Sequence, residues 1–137
     1  MDVVVLIGRI LFVLLFFGSA MGHFTQTASM TEYAKSRGVP AASVAVVVGG
    51  ILQVLGGLSV LLGVWADLGA LLLVVFLVPT AVLMHAFWNE TEAQAKQMEQ
   101  VQFLKDMSLA GASLMLFGFV TGTEDLGLMI TGPLFSL

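Results

Sequence analysis

Four long apolar stretches alternate with short polar segments along this 137-residue chain. The apolar stretches are residues 3–24, 42–64, 68–87 and 105–120. The first three are about 20 residues long, so each would cross the ~30 Å hydrocarbon core of a membrane as a helix. The fourth is shorter, and Lys105 and Asp106 place its first turn at the interface. Because a backbone in lipid must satisfy its own hydrogen bonds, the pattern predicts an all-α protein, a four-helix transmembrane bundle.

The polar segments predict smaller elements between and after the spans. Loop one (residues 25–41) contains TEYAKSRG, and loop three (residues 89–102) reads NETEAQAKQMEQVQ. Each predicts a short interfacial helix, the first ending at Gly38. A tight turn at residues 65–67 makes the second and third spans antiparallel neighbours. The tail, residues 121–137, is interrupted by Gly and Pro, so we expect it to lie along the interface.

The distribution of charge predicts an orientation. The basic residues at or outside the ends of the spans fall in or beside loops one and three: Lys35, Arg37, Lys96 and Lys105. The opposite side, which carries both termini, has only acidic residues: Asp2, Asp67, Glu124 and Asp125. The positive-inside rule therefore predicts a multi-pass protein of the cell (plasma or inner) membrane, with loops one and three cytoplasmic and both termini outside.

Composition excludes several classes of protein. Hydrophobic residues make up 58% of the chain and charged residues 10%, whereas a soluble domain carries about 25% charged residues. The net charge is −4 and the basic residues do not cluster, so nucleic-acid binding is not expected. The chain has no cysteine, which excludes disulfides, thiolate metal sites and thiol-based catalysis by this chain. We predict no metal site and no catalytic residue, and find no sequence motif for haem, flavin or phosphate binding.

Two polar residues inside the spans are candidates for function. Arg9 lies about six residues into the first span, where a charge is costly unless it is paired or reaches the interface. Gln53 lies near the middle of the second span. It could join two helices through an amide hydrogen bond, or it could be a partner of Arg9 or of a polar ligand head group.

Glycines predict where helices approach each other closely. Gly49, Gly56 and Gly63 recur every seven residues in the second span, and Gly18 and Gly22 form a GxxxG pair in the first. Small residues at such intervals let two helix backbones pack closely in lipid. We therefore expect these five glycines to be helix-packing positions.

A second polar group is expected on the side of loops one and three. His23, His85, Lys105 and Asp106 should all lie towards that side. An imidazole beside Asp106 could accept or relay a proton. Alternatively, the two histidines could be interfacial residues bonded to the backbone or to lipid head groups. Pro79, near the middle of the third span, predicts a kink with freed carbonyls.

Four segments resemble the DoxX family of small four-helix membrane proteins, named after a subunit of an archaeal terminal quinol oxidase. They are LIGRILFVLLFFGSAMGHF, GVPAASVAVVVGGILQVLGGLSVLLG, VPTAVLMHAFW, and QFLKDMSLAGASLML with the terminal TGPLFSL. The resemblance implies a single transmembrane domain over residues 1–137. Gln53 stands where the family often has Glu, and Asp106 where it often has Asn, so a Glu partner for Arg9 is absent.

The resemblance also implies a role beside catalytic subunits, in quinone-linked or thiol and oxidative-stress oxidoreductase systems. The first hypothesis is therefore a non-catalytic membrane subunit or anchor, with quinone as the suggested cofactor. Its ligand-binding residues would be Arg9, His23, Gln53, His85, Lys105 and Asp106. The alternatives are a carrier or channel for a small polar or lipidic molecule, and a scaffold that recruits partners through its loops. The expected partners are membrane lipids and oxidoreductase subunits, and a homo-oligomer is left open.

Overall fold

The computed structural model describes residues 2–135, and helices are its only regular secondary structure, with no strand among those residues. Its helices are α1 (Asp2–Thr25), α2 (Thr27–Ser36), α3 (Ala42–Leu62), α4 (Ala66–Met84) and α5 (Ala93–Gly122). Helices α1, α3, α4 and α5 are long and apolar enough to cross a membrane. The prediction of an all-α, four-span protein is therefore confirmed. Met1, Ser136 and Leu137, which the predicted domain and tail include, lie outside the described residues.

Consecutive spans are neighbours in space. Helix α1 packs on α3, α3 on α4, and α4 on α5. We call the end of the bundle that carries α2 the loop side, and the end that carries Asp2 and the segment after α5 the terminal side. The predicted interfacial helix of loop one is present as α2, which packs against α3.

Loop three differs from its prediction. A 3₁₀ turn at Phe87–Asn89 follows α4, and the polar segment that follows the turn then joins the last span in the single helix α5. The physical reason lies in the sequence, because no Gly or Pro interrupts residues 93–110 and nothing stops the helix before the apolar span. Phe87 and Trp88 pack edge-on against Phe103 of α5, with ring centroids 5.5 and 5.7 Å away.

An apolar cluster fills the centre of the bundle. The buried cluster contains Val13 and Phe16 of α1, Val60 of α3, Leu73 and Leu77 of α4, and Ala110 of α5. In lipid, such clusters hold helices together by close packing, because the acyl chains are as apolar as the side chains.

Glycines allow the closest helix contacts around α3. A Cβ at Gly56 would lie 2.8 Å from Leu73 Cδ2 and 3.0 Å from the carbonyl oxygen of Gly69. A Cβ at Gly49 would lie 3.0 Å from His23 Cε1. Both glycines therefore stand where two helices meet.

The other three predicted packing glycines have different environments. A Cβ at Gly18 would meet nothing within 4 Å, and one at Gly22 would meet only Met30 Sδ, at 3.9 Å. Gly18 faces a cavity instead of a helix. Gly63 ends α3 in the left-handed conformation, with φ of +67°, so its role is that of a helix C-cap, which glycine favours.

The segment after α5 crosses the terminal side of the bundle and is tied to the α3–α4 turn. The amide nitrogens of Ile130 and Thr131 donate to the carbonyl of Gly63, at 3.0 and 2.9 Å. Further along, Asp67 Oδ2 accepts hydrogen bonds from the backbone N–H groups of Leu134 and Phe135, at 2.8 and 2.7 Å. Asp67 is completely buried, so this carboxylate is enclosed by the segment that it holds.

Candidate functional site

A cavity of about 760 Å³ lies in the loop-side half of the bundle and is lined by residues of all five helices. Its walls are mainly apolar, and its polar lining includes His23, Gln53, His85 and Asp106. The lining also includes Leu14 and Val75, each of which is 58% exposed on the outside of the protein. The cavity therefore opens sideways, towards the acyl chains. We refer to it as the loop-side cavity.

Gln53 is the most buried polar residue of this cavity, at 0% exposure. Its Nε2 donates to the carbonyl of Gly49, one turn earlier in α3, at 3.2 Å. Its Oε1 is buried and has no hydrogen-bond partner among the described residues. The amide thus keeps an unpaired acceptor within the cavity wall, which in a low-dielectric interior is costly to leave unpaired.

His23 is fixed by the backbone of α3. Its Nδ1 lies 2.6 Å from the carbonyl oxygen of Val46, and its ring packs edge-on against Phe76, with centroids 5.8 Å apart. Since a carbonyl oxygen only accepts, Nδ1 is the donor of this bond. The absence of a side chain at Gly49 makes room for the imidazole.

His85 stands between two carboxylates at the loop-side end of the cavity. Its Nδ1 lies 2.7 Å from Glu99 Oε2, and its Nε2 lies 3.7 Å from Asp106 Oδ2. Asp106 also lies near Lys105, whose Nζ is 3.5 Å from Asp106 Oδ1 and 2.5 Å from Gln102 Oε1. His85, Lys105 and Asp106 are therefore brought together by the structure.

Outside the cavity the cluster continues through loop one. Arg37 Nη2 lies 2.7 Å from Glu99 Oε1, Arg37 Nη1 pairs with Glu90, and Tyr33 donates to Glu99 at 3.0 Å. The hydrogen bonds to Tyr33 and Glu90 raise the pKa of Arg37 above its ordinary value, so the guanidinium stays charged. A continuous chain of ionisable groups thus runs from Arg37 through Glu99 and His85 to the cavity.

Arg9 lies apart from this group. It is 4% exposed, and its Nη2 donates to the carbonyl of Leu128 at 2.6 Å, in the segment that covers the terminal side. Among residues 2–135 it forms no ion pair, and its Nε and Nη1 have no partner. It lines a second, smaller cavity of about 220 Å³ between α1 and α5. Arg9 and Gln53 therefore do not pair with each other, and a ligand in the loop-side cavity would not contact Arg9.

Sequence reasoning missed four members of the loop-side cluster: Tyr33, Arg37, Glu90 and Glu99. Arg37 and Glu99 are 62 positions apart, and no local pattern links them. The only signal available was that loops one and three share a side of the membrane and contain half of the charged residues of the chain.

These features define a small membrane protein of four spans, with a lipid-facing cavity and a group of ionisable residues at one end of it. Comparison with known proteins supplies the family: the DoxX family profile matches residues 4–86. The chain belongs to the DoxX family, and the resemblance noted in its sequence is confirmed.

Two relatives are inner membrane proteins of Escherichia coli K12. The chain is 31% identical to inner membrane protein YqjF over 115 residues, which cover 84% of the chain and 82% of YqjF. It is 29% identical to inner membrane protein YphA over 114 residues, which cover 83% of the chain and 81% of YphA. A search of solved structures gave no significant match.

Proposed function

We propose that this DoxX-family protein is a membrane subunit of an oxidoreductase system and that it holds a quinone-class molecule in the loop-side cavity. The observation that carries the proposal is the cavity itself. Its volume of about 760 Å³ lies within the ~300–1,000 Å³ typical of small-molecule sites, and apolar walls with a few polar groups are typical of such sites. The lateral opening beside Leu14 and Val75 gives a lipid-soluble molecule a route of entry.

The residues present fit the polar ring of such a molecule. Gln53, His23 and the His85–Asp106 pair all line the cavity, so ring oxygens have polar partners there. When bound, a quinone-class molecule would supply two-electron, two-proton redox chemistry. The protein's own contribution is to orient the ring, keep water away from it, and hold a proton on His85 between Glu99 and Asp106.

We also propose that the electrons come from another subunit, since the chain has no cysteine for two-electron thiol chemistry. We further propose that the loop side, with α2 and the polar start of α5, faces the cytoplasm, as the positive-inside rule predicts.

A channel is less well supported than a binding site. Helix α1 begins on the terminal side and α3 ends there, so Val13, Val60 of α3 and Leu73 of α4 lie on the terminal side of the residues that line the cavity. Val60 and Leu73 are completely buried. This packed layer separates the cavity from the terminal side, which favours a ligand that enters from the lipid and leaves the same way.

The experiment is affinity purification of the tagged full-length protein in a mild detergent, followed by mass spectrometry of bound proteins and of extracted lipids. We expect a quinone-class lipid and at least one subunit with a flavin, haem or other redox group. Gly18→Leu is the test variant, because Gly18 lines the cavity and has open space around it. Gly118→Leu is the matched control, since a Cβ there also meets nothing within 4 Å and Gly118 does not line the cavity.

The two variants separate a site from general lipid association. The proposal predicts that Gly18→Leu loses the quinone-class lipid and that Gly118→Leu keeps it. A wild-type protein that carries only phospholipid and no redox partner would contradict the proposal. Transport of a solute by the purified protein in liposomes would favour the carrier hypothesis instead.

A further inference from the structure

We infer that the loop-side cavity selects a ligand that donates hydrogen bonds, and that it therefore binds the reduced, hydroxyl-bearing form of a quinone-class molecule more tightly than the oxidised form. This inference rests on the proposed function and adds the redox state of the ligand. The basis is the direction of the hydrogen bonds that the cavity-lining residues already make.

Gln53 offers an acceptor that has no hydrogen-bond partner among the described residues. Its Nε2 faces the carbonyl of Gly49 at 3.2 Å. If the amide were rotated by 180°, its oxygen would face the carbonyl oxygen, and two acceptors would repel each other. The orientation is therefore fixed, and Oε1 remains as the atom without a partner. A buried acceptor of this kind gains most from a ligand O–H group.

His23 offers a second acceptor for the same reason. Its Nδ1 must carry the hydrogen that is donated to the carbonyl of Val46 at 2.6 Å. In a neutral imidazole the other nitrogen, Nε2, then carries the lone pair. His23 lines the same cavity as Gln53.

A backbone carbonyl of α4 adds a third acceptor. Pro79 lies inside α4 and has no N–H, so the carbonyl of Val75 loses the donor that a regular helix would provide four residues later. The nearby hydroxyl of Thr80 donates to Phe76 instead, at 2.7 Å. Val75 and Pro79 both line the cavity, so a hydroxyl group of a ligand there can replace the missing donor.

Apart from the second N–H of the Gln53 amide, the donors of the cavity are directed at acceptors of the protein. The Tyr33 hydroxyl donates to Glu99, and Lys105 Nζ faces Gln102 and Asp106 at the loop-side surface. His85 directs Nδ1 to Glu99, while Asp106, as a carboxylate, is an acceptor. The hydroxyl of Ser19 can both donate and accept, so it does not alter this balance.

The two redox forms of a quinone-class ring meet this lining differently. The oxidised ring has two carbonyl oxygens. These can only accept hydrogen bonds, so they would be repelled by the unpaired acceptors of the cavity. The reduced ring has two O–H groups, which donate to them. Since leaving one buried acceptor unpaired costs about 1–3 kcal/mol, we expect the reduced form to bind at least about tenfold more tightly. By linkage, a tenfold preference raises the potential of the bound two-electron couple by about 30 mV.

The experiment compares three short-chain ligands with the same ring on the full-length protein in lipid nanodiscs, under anaerobic conditions. They are the quinone, the corresponding hydroquinone and its dimethyl ether, which keeps the ring but has no O–H donor. Equilibrium dialysis gives the three dissociation constants. We expect the hydroquinone to bind at least tenfold more tightly than the other two, which should bind similarly.

Two substitutions connect the preference to the residues. Gln53→Met removes the amide acceptor at similar volume, and Pro79→Ala restores the donor for Val75 while improving the helix. Each should reduce the preference for the hydroquinone several-fold. Ser113→Ala is the control, because Ser113 is buried and bonds to Leu109 outside the cavity. If Gln53→Met does not fold, Pro79→Ala still provides the test.

The outcomes separate this inference from the function on which it rests. Equal binding of all three ligands, or tighter binding of the quinone, overturns the inference and leaves the proposed function standing. Absence of binding by all three contradicts the proposed function itself. A preference that Gln53→Met and Pro79→Ala both leave unchanged shows that the acceptors identified here do not cause it, and this also overturns the inference.

Discussion

Glu99 shows how much a single side chain organises at the loop side. Its two carboxylate oxygens contact Arg37, Tyr33 and His85, at 2.7, 3.0 and 2.7 Å, and its side chain is only 15% exposed. Removing it would leave His85 and Arg37 partly buried without their shared partner. Hydrogen bonds to charged groups of this kind contribute about 1.5–3 kcal/mol each.

We therefore predict that Glu99→Ala destabilises the protein by about 1–3 kcal/mol. The measurement is the thermal unfolding midpoint in detergent, followed by size-exclusion chromatography. Glu32→Ala is the control, because Glu32 is 73% exposed and pairs only with the neighbouring Lys35. An equal and small effect of both substitutions would show that the cluster is no more than a set of surface ion pairs.

Sequence reasoning reached part of this site and stopped for a physical reason. His85, Lys105 and Asp106 were expected on one side because each stands near the end of an apolar span. Arg37 and Glu99 were not, because their pairing depends on where the end of α2 lies relative to α5. For Arg9 the sequence left open whether the charge is paired or reaches the interface. Arg9 donates a hydrogen bond to the carbonyl of Leu128. Because every residue has a backbone carbonyl, the sequence does not indicate which one a side chain will contact.

At the scale of elements, the contact of α3 with α4 depends on two glycines that face each other. A Cβ at Gly56 would come within 3.0 Å of the Gly69 carbonyl, and a Cβ at Gly69 would lie 2.5 Å from Ser59 Cβ and 2.9 Å from the Gly56 carbonyl. The backbones therefore approach too closely for any side chain between them. The seven-residue spacing of glycines in α3 predicted this contact, whereas it could not show that Gly63 would end the helix.

We predict that Gly56→Ala destabilises the bundle by about 1–3 kcal/mol, because the added methyl group overpacks the α3–α4 contact. Gly118→Ala should be neutral or stabilise by up to about 1 kcal/mol, since it adds helix propensity in open space. Thermal unfolding of the two variants in the same detergent compares them directly. A loss of stability in Gly118→Ala equal to that in Gly56→Ala would contradict the packing argument.

The segment after α5 is a second element whose position depends on a single residue, the buried carboxylate of Asp67. We predict that Asp67→Ala frees residues 132–135, because the N–H groups of Leu134 and Phe135 lose their acceptor. A spin label at Leu134 should then show increased mobility, and limited proteolysis should cut the segment faster. Glu124→Ala, a change in the same segment outside the contact with Asp67, should leave both readouts unchanged. No increase in mobility in Asp67→Ala would show that other contacts hold the segment.

At the scale of the whole molecule, the four spans were predictable because length and hydropathy alone decide whether a helix can cross lipid. The length of α5 was not fully anticipated. Its polar first half and apolar second half look like two elements by composition, yet no residue between them breaks the helix. The cavity could not be predicted, since it arises where Gly18, Pro79 and their neighbours leave space unfilled.

We predict that the loop side is cytoplasmic, because it carries the basic residues near the membrane surface. The chain has no native cysteine, so single cysteines can be introduced without background. Ser36→Cys and Lys96→Cys should resist a membrane-impermeant maleimide in intact cells, whereas Glu124→Cys should react. The reverse pattern would invert the proposed orientation, and with it the side that supplies protons to the cavity.

The most direct measurement of the central claim is to map where a photoreactive hydroquinone attaches to the protein in nanodiscs. We predict that the labelled peptides come from α1, α3 and α4 at residues that line the loop-side cavity. Labelling should be lost in Gly18→Leu and kept in Gly118→Leu. Labels spread over the outer faces of the helices, or labelling that Gly18→Leu leaves unchanged, would contradict the claim that this cavity is the ligand site.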